Sequence, residues 1–479
     1  AADIHLMPKP GTDGALACSL IHIMFRDNYA DREYMNKYAD DPNGLEAHVK
    51  KFTPKWASDI TGLSVEEIEE FGEIFGKTKR LYTRLGYGFA RQRNGASAMH
   101  SVVSLSTVCG KWKYEGGGAF YKNADIYNID KTLIEGLDVI DKSIRVLDQS
   151  RIGSILTGDK HALKNGQNIY GMIIQNTNPL IVSPESTLVR KGFSRDDLFV
   201  CVHEQFMTET AKYADIILPA TTFVEHDDLY IAGGHQHITF GPKLISPVGE
   251  SRSNHFVLVE LAKRLGAHHK GFKMTEREII DFTLKSSKHG SLLDLEQNGW
   301  KDVQPDFNSS HFINGFGHDD KKFHFKPDWK KIGPYYSQMP KYPDYQNTTE
   351  SVSKKCPFRL VTAPAHNYLN SSFTETASSK EKEAKPRAKI HPSDLKKLNL
   401  LDNMEVILGN DRGKVILHTE SFEGLQQGVV VVEGIWPSEA FIGNQGINTL
   451  VGSDPVPPNG GAAFHDTSVW IKAYSKNMN

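Results

Sequence analysis

The sequence predicts an α/β protein whose parallel-sheet layers are followed by a C-terminal β-barrel. Apolar strand-like runs at 171–174, 198–202 and 214–219 alternate with helical segments, a pattern typical of a parallel sheet covered on both faces. Beyond residue 399, short β-runs follow one another with turn residues between them and without a long helical pattern, which favours a compact barrel. A chain of 479 residues is long enough for about two to four domains.

The N-terminal part of the chain alternates helical and strand-like patterns. We expect a short strand at 3–7, then a helix over 15–25 whose apolar residues recur at helical spacing. A second helix is expected to begin at Ser64, where the sequence Ser-Val-Glu-Glu matches a capping box. A strand at 80–85 then leads through a glycine turn into a helix over 95–110, which is the order of elements in an α/β layer.

Charge, hydropathy and cysteine usage exclude several function classes. The 56 basic and 58 acidic residues give a net charge of −2, so the chain as a whole does not attract nucleic acid or an anionic membrane. No apolar run approaches the roughly 20 residues that span a bilayer. The four cysteines form no CxxC pair, which argues against a zinc or iron–sulfur site. We expect Cys109 and Cys201 to be buried thiols, a usage that fits a reducing, cytoplasmic compartment without excluding an oxidising one.

Polar residues follow several of the predicted strands at the point where each strand ends. They form clusters at Gly86–Arg91, Gln175–Pro179 and His203–Glu204, and the turn Gly11–Asp13 adds a fourth. In open α/β sheets ligands bind beyond the carboxyl ends of the strands, where backbone N–H groups and small polar side chains can hold phosphates. Gly86-x-Gly88 does not complete a GxGxxG motif, which argues against a nicotinamide-dependent dehydrogenase. Four clusters in one chain favour a large polyanionic cofactor.

Five motifs make the prediction more specific. They are Pro-Gly-Thr-Asp-Gly-Ala-Leu at 10–16, Gln175-x-x-Asn178-Pro179, the run Thr-Glu-Thr-Ala-x-x-Ala-Asp-Ile-Ile-Leu-Pro at 208–219, Asn370-Ser371-Ser372, and Asn448-x-Leu450. With these motifs the chain resembles the molybdopterin oxidoreductases of the dimethyl sulfoxide reductase family over most of its length, except about 285–355. Glu225, six residues after the third motif, also fits the family's acidic position.

The resemblance implies a bis-molybdopterin guanine dinucleotide cofactor with molybdenum or tungsten, held between domains. The residues that it places at this cofactor are Gly11, Thr12, Asp13, Tyr87, Gly88, Arg91, Gln175, Asn178, His203, Glu204, Glu225, Thr362, His366, Asn370, Ser371, Ser372, Asn448 and His465. Arg91 and His465 depart from the Gln and Lys that the family favours there. We expect the group at 370–372 to converge with Asn178 and Glu204 on one cleft. No residue is assigned a catalytic or metal-binding role.

The resemblance also divides the chain into four parts. Residues 1–140 and 141–285 are expected to form two α/β cofactor-binding domains, the first of them truncated at its N-terminus. Residues 286–355 are expected to be an irregular segment and linker, since they lack periodicity. Residues 356–479 are expected to form a dinucleotide-binding β-barrel of the double-psi type. The three glycines at 116–118 are a candidate domain edge.

The implied activity is a two-electron redox or oxygen-atom transfer reaction on a small-molecule substrate, with a protein as electron donor or acceptor. The chain opens at Ala1 like the middle of a domain, so upstream sequence is expected to be missing. In the family, the protein ligand of the metal and the cysteines of a 4Fe–4S cluster, where one is present, lie upstream of Gly11. We therefore expect this chain alone to hold no molybdenum and to be inactive. The alternative is a non-catalytic scaffold subunit of an electron-transfer complex with the same fold.

Overall fold

The structure is a computed structural model that describes residues 2–348 and 350–475. Its α-helices, numbered in chain order, are α1 Asp13–Arg26, α2 Arg32–Tyr38, α3 Pro42–Val49, α4 Pro54–Thr61, α5 Val65–Lys77, α6 Gly95–Val108, α7 Thr132–Glu135, α8 Ile152–Leu156, α9 Pro179–Val182, α10 Ser186–Phe193, α11 Asn254–Leu265, α12 Glu276–Ser286, α13 Leu292–Asn298, α14 Phe307–Ser310, α15 Ala377–Glu383 and α16 Pro392–Lys397. Its strands are β1 Tyr82–Arg84, β2 Gly118–Phe120, β3 Gly171–Gln175, β4 Phe199–Glu204, β5 Ile216–Pro219, β6 Asp228–Tyr230, β7 His237–Gly241, β8 Trp300–Asp302, β9 Phe358–Val361, β10 Arg387–Ile390, β11 Glu405–Gly409, β12 Lys414–Ser421, β13 Val429–Val432 and β14 Thr467–Ala473.

The first layer is built around α1, which packs against α6, α4 and α5. Its apolar face is buried, and Ile21 and Met24 are fully enclosed. The expected capping box is present at the start of α5, where Ser64 and Glu67 each accept a hydrogen bond from the other's backbone N–H. The expected strand at 3–7 is wrong. That segment pairs with no strand in the part of the chain that is described, and a strand forms only where a partner is available.

The strands β1 and β2 form a two-stranded parallel sheet, with Tyr82 opposite Gly118. Gly118 is thus the first residue of a strand, so the glycines at 116–118 lie inside the first layer. The expectation of a domain edge there is wrong. Gly118 adopts a φ of +95°, and a Cβ at this position would lie 2.3 Å from the ring of Trp112, so glycine permits the close packing of this strand.

The second layer holds a parallel sheet with the strand order β3-β4-β5. One face packs on α8 and α10, and Leu156, Val189 and Val202 lie in its core. The other face leaves Ile173 and Phe199 about half exposed. The expectation that both faces are covered therefore fails for this sheet among the described residues.

A third sheet is antiparallel, with the order β6-β7-β8. Its last strand, β8, and the preceding helix α13 belong to the part of the chain that was expected to be irregular. Farther on, Phe325 is fully buried in the core of the first layer, and its backbone N–H donates to Asp40 over 2.9 Å. Local periodicity could not find these contacts, because long-range packing fixes this segment.

The C-terminal part is a closed six-stranded barrel with the order β10-β12-β11-β14-β9-β13. Parallel and antiparallel pairs both occur in it, and its interior is filled by aliphatic side chains such as Leu360, Val406 and Val430. The predicted fold class, α/β layers with parallel sheets followed by a β-barrel, is confirmed. Within the described residues, no helix is both long and apolar enough to span a membrane.

Candidate functional site

The turn after β1 leaves open space at the carboxyl end of the strand. Leu85 is buried and anchored by a hydrogen bond from its N–H to the carbonyl of Phe120, whereas Gly86, Tyr87 and Gly88 are exposed. A Cβ placed on either Gly86 or Gly88 would meet no atom of the described residues within 4 Å. This exposed turn forms an open cradle in which a ligand can approach the backbone closely.

This turn meets the barrel at three of the residues that the sequence placed at the cofactor. The N–H of His465 donates to the carbonyl of Arg91 over 2.9 Å, and its Nε2 lies 3.2 Å from the carbonyl of Thr362. A carbonyl can only accept, so Nε2 carries the proton and Nδ1 is left as an acceptor. Burial lowers the pKa of His465 to about 4, so the ring is neutral at physiological pH. The Arg91 guanidinium lies 5.3 Å from the ring centre of Phe464.

The Gly11–Asp13 turn lies against the same region. The carbonyl of Gly11 accepts a hydrogen bond of 2.7 Å from the side chain of Asn94. Thr12 does not cap α1, because its hydroxyl donates to the carbonyl of Lys9 instead. Asp13 is the first residue of the helix, and burial raises the pKa of its carboxyl group. Such a carboxylate gains from N–H donors that a ligand brings.

Gln92 is a polar residue of this region that the sequence analysis did not select. It is buried, and its Oε1 has no hydrogen-bond partner among the described residues. A Cβ on Gly11 would lie 3.2 Å from that oxygen, which places the amide beside the turn. The resemblance led us to expect a Gln at the position of Arg91, and Gln92 follows it directly, so the sequence did contain a signal.

Polar residues at the carboxyl ends of β3 and β4 make hydrogen bonds within the protein. His203 is fully buried, its Nδ1 accepts from Gln175 over 3.2 Å, and its Nε2 donates to the carbonyl of Arg252 over 3.1 Å. The Oδ1 of Asn178 accepts from the N–H of Thr210 over 3.1 Å and from its hydroxyl over 2.7 Å. These side chains join neighbouring loops of the second layer.

Glu225 is bound in the same way. One carboxylate oxygen accepts from the N–H and hydroxyl of Thr222, and the other accepts from the N–H of Val248. The backbone donors lower the pKa of Glu225, that of Thr222 most. Glu204 differs, because burial, reinforced by the nearby Glu375, raises the pKa of its carboxyl group.

The loop that carries His366 and the segment 370–372 is mostly exposed. Leu369 and Ser372 exchange backbone hydrogen bonds of 3.2 and 2.9 Å, which makes a tight turn. Thr374, near the end of this loop, is buried, and its hydroxyl donates to the carbonyl of Ser371 over 2.8 Å. Across the described residues, no hydrogen bond links the residues 370–372 to Asn178 or Glu204, so their convergence on one cleft stays a prediction.

Asn448 joins the barrel to the second layer. Its side chain is buried and donates to the carbonyl of Ile181 over 2.8 Å and to that of Val182 over 3.1 Å. Its Oδ1 finds no partner in the described ranges. Nearby, Glu209 accepts hydrogen bonds from the N–H and hydroxyl of Ser438, so a second set of contacts fixes this junction.

Comparison with known proteins assigns the family. A model described as molybdopterin oxidoreductase matches residues 1–264, and one described as a molybdopterin dinucleotide binding domain matches residues 358–468. The chain belongs to the molybdopterin oxidoreductase family. The resemblance to this family that the sequence motifs indicated is thereby confirmed, and the family's dinucleotide-binding domain coincides with the barrel.

Several members of the family align along nearly the whole chain. The chain is 31% identical to "Probable oxidoreductase YoaE" of Bacillus subtilis, over 98% of its own length and 68% of that protein's. It is 24% identical to the dimethyl sulfoxide reductase DmsA of Escherichia coli, over 97% of the chain and 64% of the reductase. The solved structure of acetylene hydratase from Pelobacter acetylenicus is similar with a TM-score of 0.80 at 16% identity, covering 99% of the chain and 72% of the hydratase, which shows a common fold.

Proposed function

We propose that this protein binds a bis-molybdopterin guanine dinucleotide carrying molybdenum or tungsten and takes part in a two-electron redox or oxygen-atom transfer reaction. The observation that carries the proposal is the junction at which Arg91, His465 and Thr362 meet beside the open cradle at Gly86 and Gly88. Ligands of open α/β sheets bind at such strand ends. When bound, the cofactor supplies the two-electron chemistry.

The residues around this junction fit the chemical groups of such a cofactor. The open space at the two glycines lets phosphates or a pterin approach the backbone closely. The Oε1 of Gln92, which has no hydrogen-bond partner among the described residues, and the carboxyl group of Asp13, whose pKa is raised by burial, are acceptors for the N–H edge of a guanine or pterin. The Nδ1 of His465 is a further acceptor on a ring that stays neutral, so it can orient a ligand without adding charge.

The other residues that the family resemblance selects are proposed to act less directly. Asn178, His203 and Glu225 have their hydrogen bonds satisfied within the protein, and we propose that they shape the loops around the second dinucleotide. Asn448 is proposed to hold the barrel against those loops. The exposed segment 370–372 remains a candidate to close over the cofactor from the barrel.

We further propose that the open turn by itself holds the cofactor weakly. Affinity for a large anionic ligand arises from many contacts that close around it together, and the cradle at Gly86–Gly88 is open to solvent. A small-molecule substrate and an electron-transfer protein are the proposed partners. The four cysteines are buried thiols, which fits the proposed cytoplasmic location.

The test is an analysis of the protein as its natural host makes it. Molybdenum, tungsten and iron are measured by plasma mass spectrometry, and pterin by the fluorescence of its oxidised form. We expect two pterins for each molybdenum or tungsten atom. Protein that contains neither metal nor pterin would instead favour the non-catalytic scaffold subunit. The iron content decides whether an iron–sulfur cluster accompanies the cofactor.

A further inference from the structure

A pocket lies at the end of the β3-β4-β5 sheet that is opposite to Gln175, His203 and Glu204. It is a cavity of about 690 Å³ at the amino end of β3, whereas Gln175 lies at the carboxyl end of the same strand. The residues that line it are Thr157, Gly158, Lys160, Leu163, Gly166, Gln167, Asn168 and Tyr170. Its volume falls in the range of about 300–1,000 Å³ that is usual for small-molecule sites.

Two arginines hold the backbone of this cavity in place. Arg195 donates to the carbonyls of Leu156 and Ile169 over 2.8 and 3.1 Å, and both ends of its guanidinium are bound by Asp197 at 2.8 Å. Arg145 donates to the carbonyl of Leu163 over 2.8 Å and also to that of Gln167. Four backbone carbonyls around the cavity are thus hydrogen-bonded by arginine side chains, which holds this segment in place.

Three of the polar side chains that line the cavity, in contrast, make no hydrogen bonds or ion pairs with other described residues. Lys160 makes no ion pair and the amides of Gln167 and Asn168 make no side-chain hydrogen bond with any described residue. The ring of Tyr170 is 56% exposed, and the Arg195 guanidinium lies 5.7 Å from its centre. The Tyr170 carbonyl accepts a hydrogen bond of 2.9 Å from the N–H of Phe199, which fixes the backbone of this residue beside the sheet.

We propose that this cavity binds a mononucleotide, a ligand that combines an anionic group with a flat polar ring. The Lys160 ammonium supplies the positive charge that a phosphate requires. The exposed ring of Tyr170 offers a face on which a base can stack, since aromatic side chains bind bases of any sequence in this way. The carboxamides of Gln167 and Asn168 can each donate and accept, which suits the polar edge of a base or the hydroxyls of a ribose.

Adenosine 5′-monophosphate is the probe that tests the site, because guanosine 5′-monophosphate is a part of the proposed cofactor and could bind elsewhere. Its affinity is measured by isothermal titration calorimetry with the full chain and with the variants Lys160→Ala and Tyr170→Ala. We expect saturable binding of one molecule per chain, weakened about tenfold (about 1.4 kcal/mol) by each variant, because each removes a charge or a stacking partner. Both side chains are exposed, so the variants are expected to fold.

Two further variants locate the binding. Lys164→Ala removes a lysine from the same loop outside the cavity lining, and Asp13→Ala alters the proposed cofactor region; both are expected to leave the affinity for adenosine 5′-monophosphate unchanged. Absence of binding at millimolar nucleotide overturns the proposal. Binding that Asp13→Ala weakens while Lys160→Ala and Tyr170→Ala do not also overturns it, and would assign the nucleotide to the cofactor region instead. Equal competition by inorganic phosphate would contradict the role of Tyr170.

Discussion

The polar residues at the end of β1 and those at the ends of β3 and β4 follow the same sequence pattern but make different contacts. After β1, the turn at Gly86–Gly88 is open and Gln92 keeps an unpartnered oxygen in the described structure. At the ends of β3 and β4, the Oδ1 of Asn178 and the ring of His203 are hydrogen-bonded to neighbouring segments. A polar residue at a strand end can therefore either bind a ligand or build the surface on which the ligand lies, and only its partners decide which.

The largest effect is expected when the buried salt bridge next to His465, at the open region, is removed. Asp466 directly follows His465 in the chain, and its side chain is fully enclosed. It forms a salt bridge of 2.8 Å with Arg359, which is itself nearly buried. Asp466→Asn leaves the arginine buried without a compensating charge, which is expected to lower the free energy of unfolding by about 3–5 kcal/mol. Urea denaturation of the two proteins measures the loss.

An exposed ion pair is the control for that experiment. Lys355 and Asp411 also form a salt bridge, but both side chains are largely exposed to solvent. Asp411→Asn is expected to leave the urea midpoint unchanged, since exposed pairs contribute little. Equal losses of stability in the two variants would show that burial of the Asp466–Arg359 pair does not increase its contribution to the stability of the barrel.

The neutral ring of His465 provides the second test, through pH. Its pKa is about 4 in the folded protein and about 6.5 ordinarily, so the unfolded chain takes up the proton first as the pH falls. The stabilisation is complete above pH 6.5, is lost between pH 6.5 and about 4, and amounts to on the order of 2–4 kcal/mol. His465→Gln should remove this part of the pH dependence in urea titrations made at several pH values.

His100 must be separated from His465 in that titration. Burial lowers the pKa of His100 to about 4 as well, and its Nε2 lies 3.0 Å from the carbonyl of His324. His100→Gln is therefore expected to remove a similar share of the pH dependence, and the double variant to remove both. An unchanged pH profile in His465→Gln would mean that the ring is solvated and that its Nδ1 is not a fixed acceptor.

The third test concerns the satisfied cluster. Asn178→Ala deprives the N–H and hydroxyl of Thr210 of their acceptor inside the protein, at an expected cost of about 1–3 kcal/mol in the free energy of unfolding. Asn168→Ala, on an exposed side chain without partners among the described residues, should cost nothing measurable. If Asn178→Ala kept full stability but reduced the bound pterin, Asn178 would belong with the ligand-binding residues.

Sequence reasoning succeeded where local chemistry determines the outcome. The capping box at Ser64, the helix after the glycine turn and the barrel strands follow from patterns within a few residues, and the structure contains them all. It failed for 3–7 and for β8, because a strand exists only through its partner, which the local sequence does not name.

The candidate site divides in the same way. The sequence selected Arg91, Thr362 and His465, and the structure brings them together across two regions far apart in the chain. It did not select Gln92. It also could not distinguish Glu225, whose carboxylate accepts hydrogen bonds from Thr222 and from the distant Val248, from a residue that is free to bind a ligand. Hydrogen-bond partners are a property of the folded chain, so motif spacing alone does not reveal them.

The smallest change in stability is expected for a substitution in the open turn at Gly88. The amount of bound cofactor should nevertheless fall. Gly88 has φ −55° and ψ −35°, which alanine adopts without strain, and its new Cβ would meet no protein atom within 4 Å. Gly88→Ala should therefore shift the free energy of unfolding by less than about 0.5 kcal/mol. The methyl group would instead occupy the cradle, so protein from the natural host should carry less pterin than the wild type.

Gly95 is the matched glycine on the filled side of the same turn. A Cβ there would lie 1.7 Å from the carbonyl oxygen of Phe89, so Gly95→Ala must displace backbone and is expected to destabilise the fold strongly. Unfolding curves and bound pterin are measured together for both variants. We expect Gly88→Ala to lose pterin while its stability is unchanged. Gly95→Ala should lose pterin only because its fold is destabilised, so the two variants separate binding from folding. Full pterin content in a stable Gly88→Ala protein would show that the cofactor does not approach this turn, and the open cradle would then need another ligand.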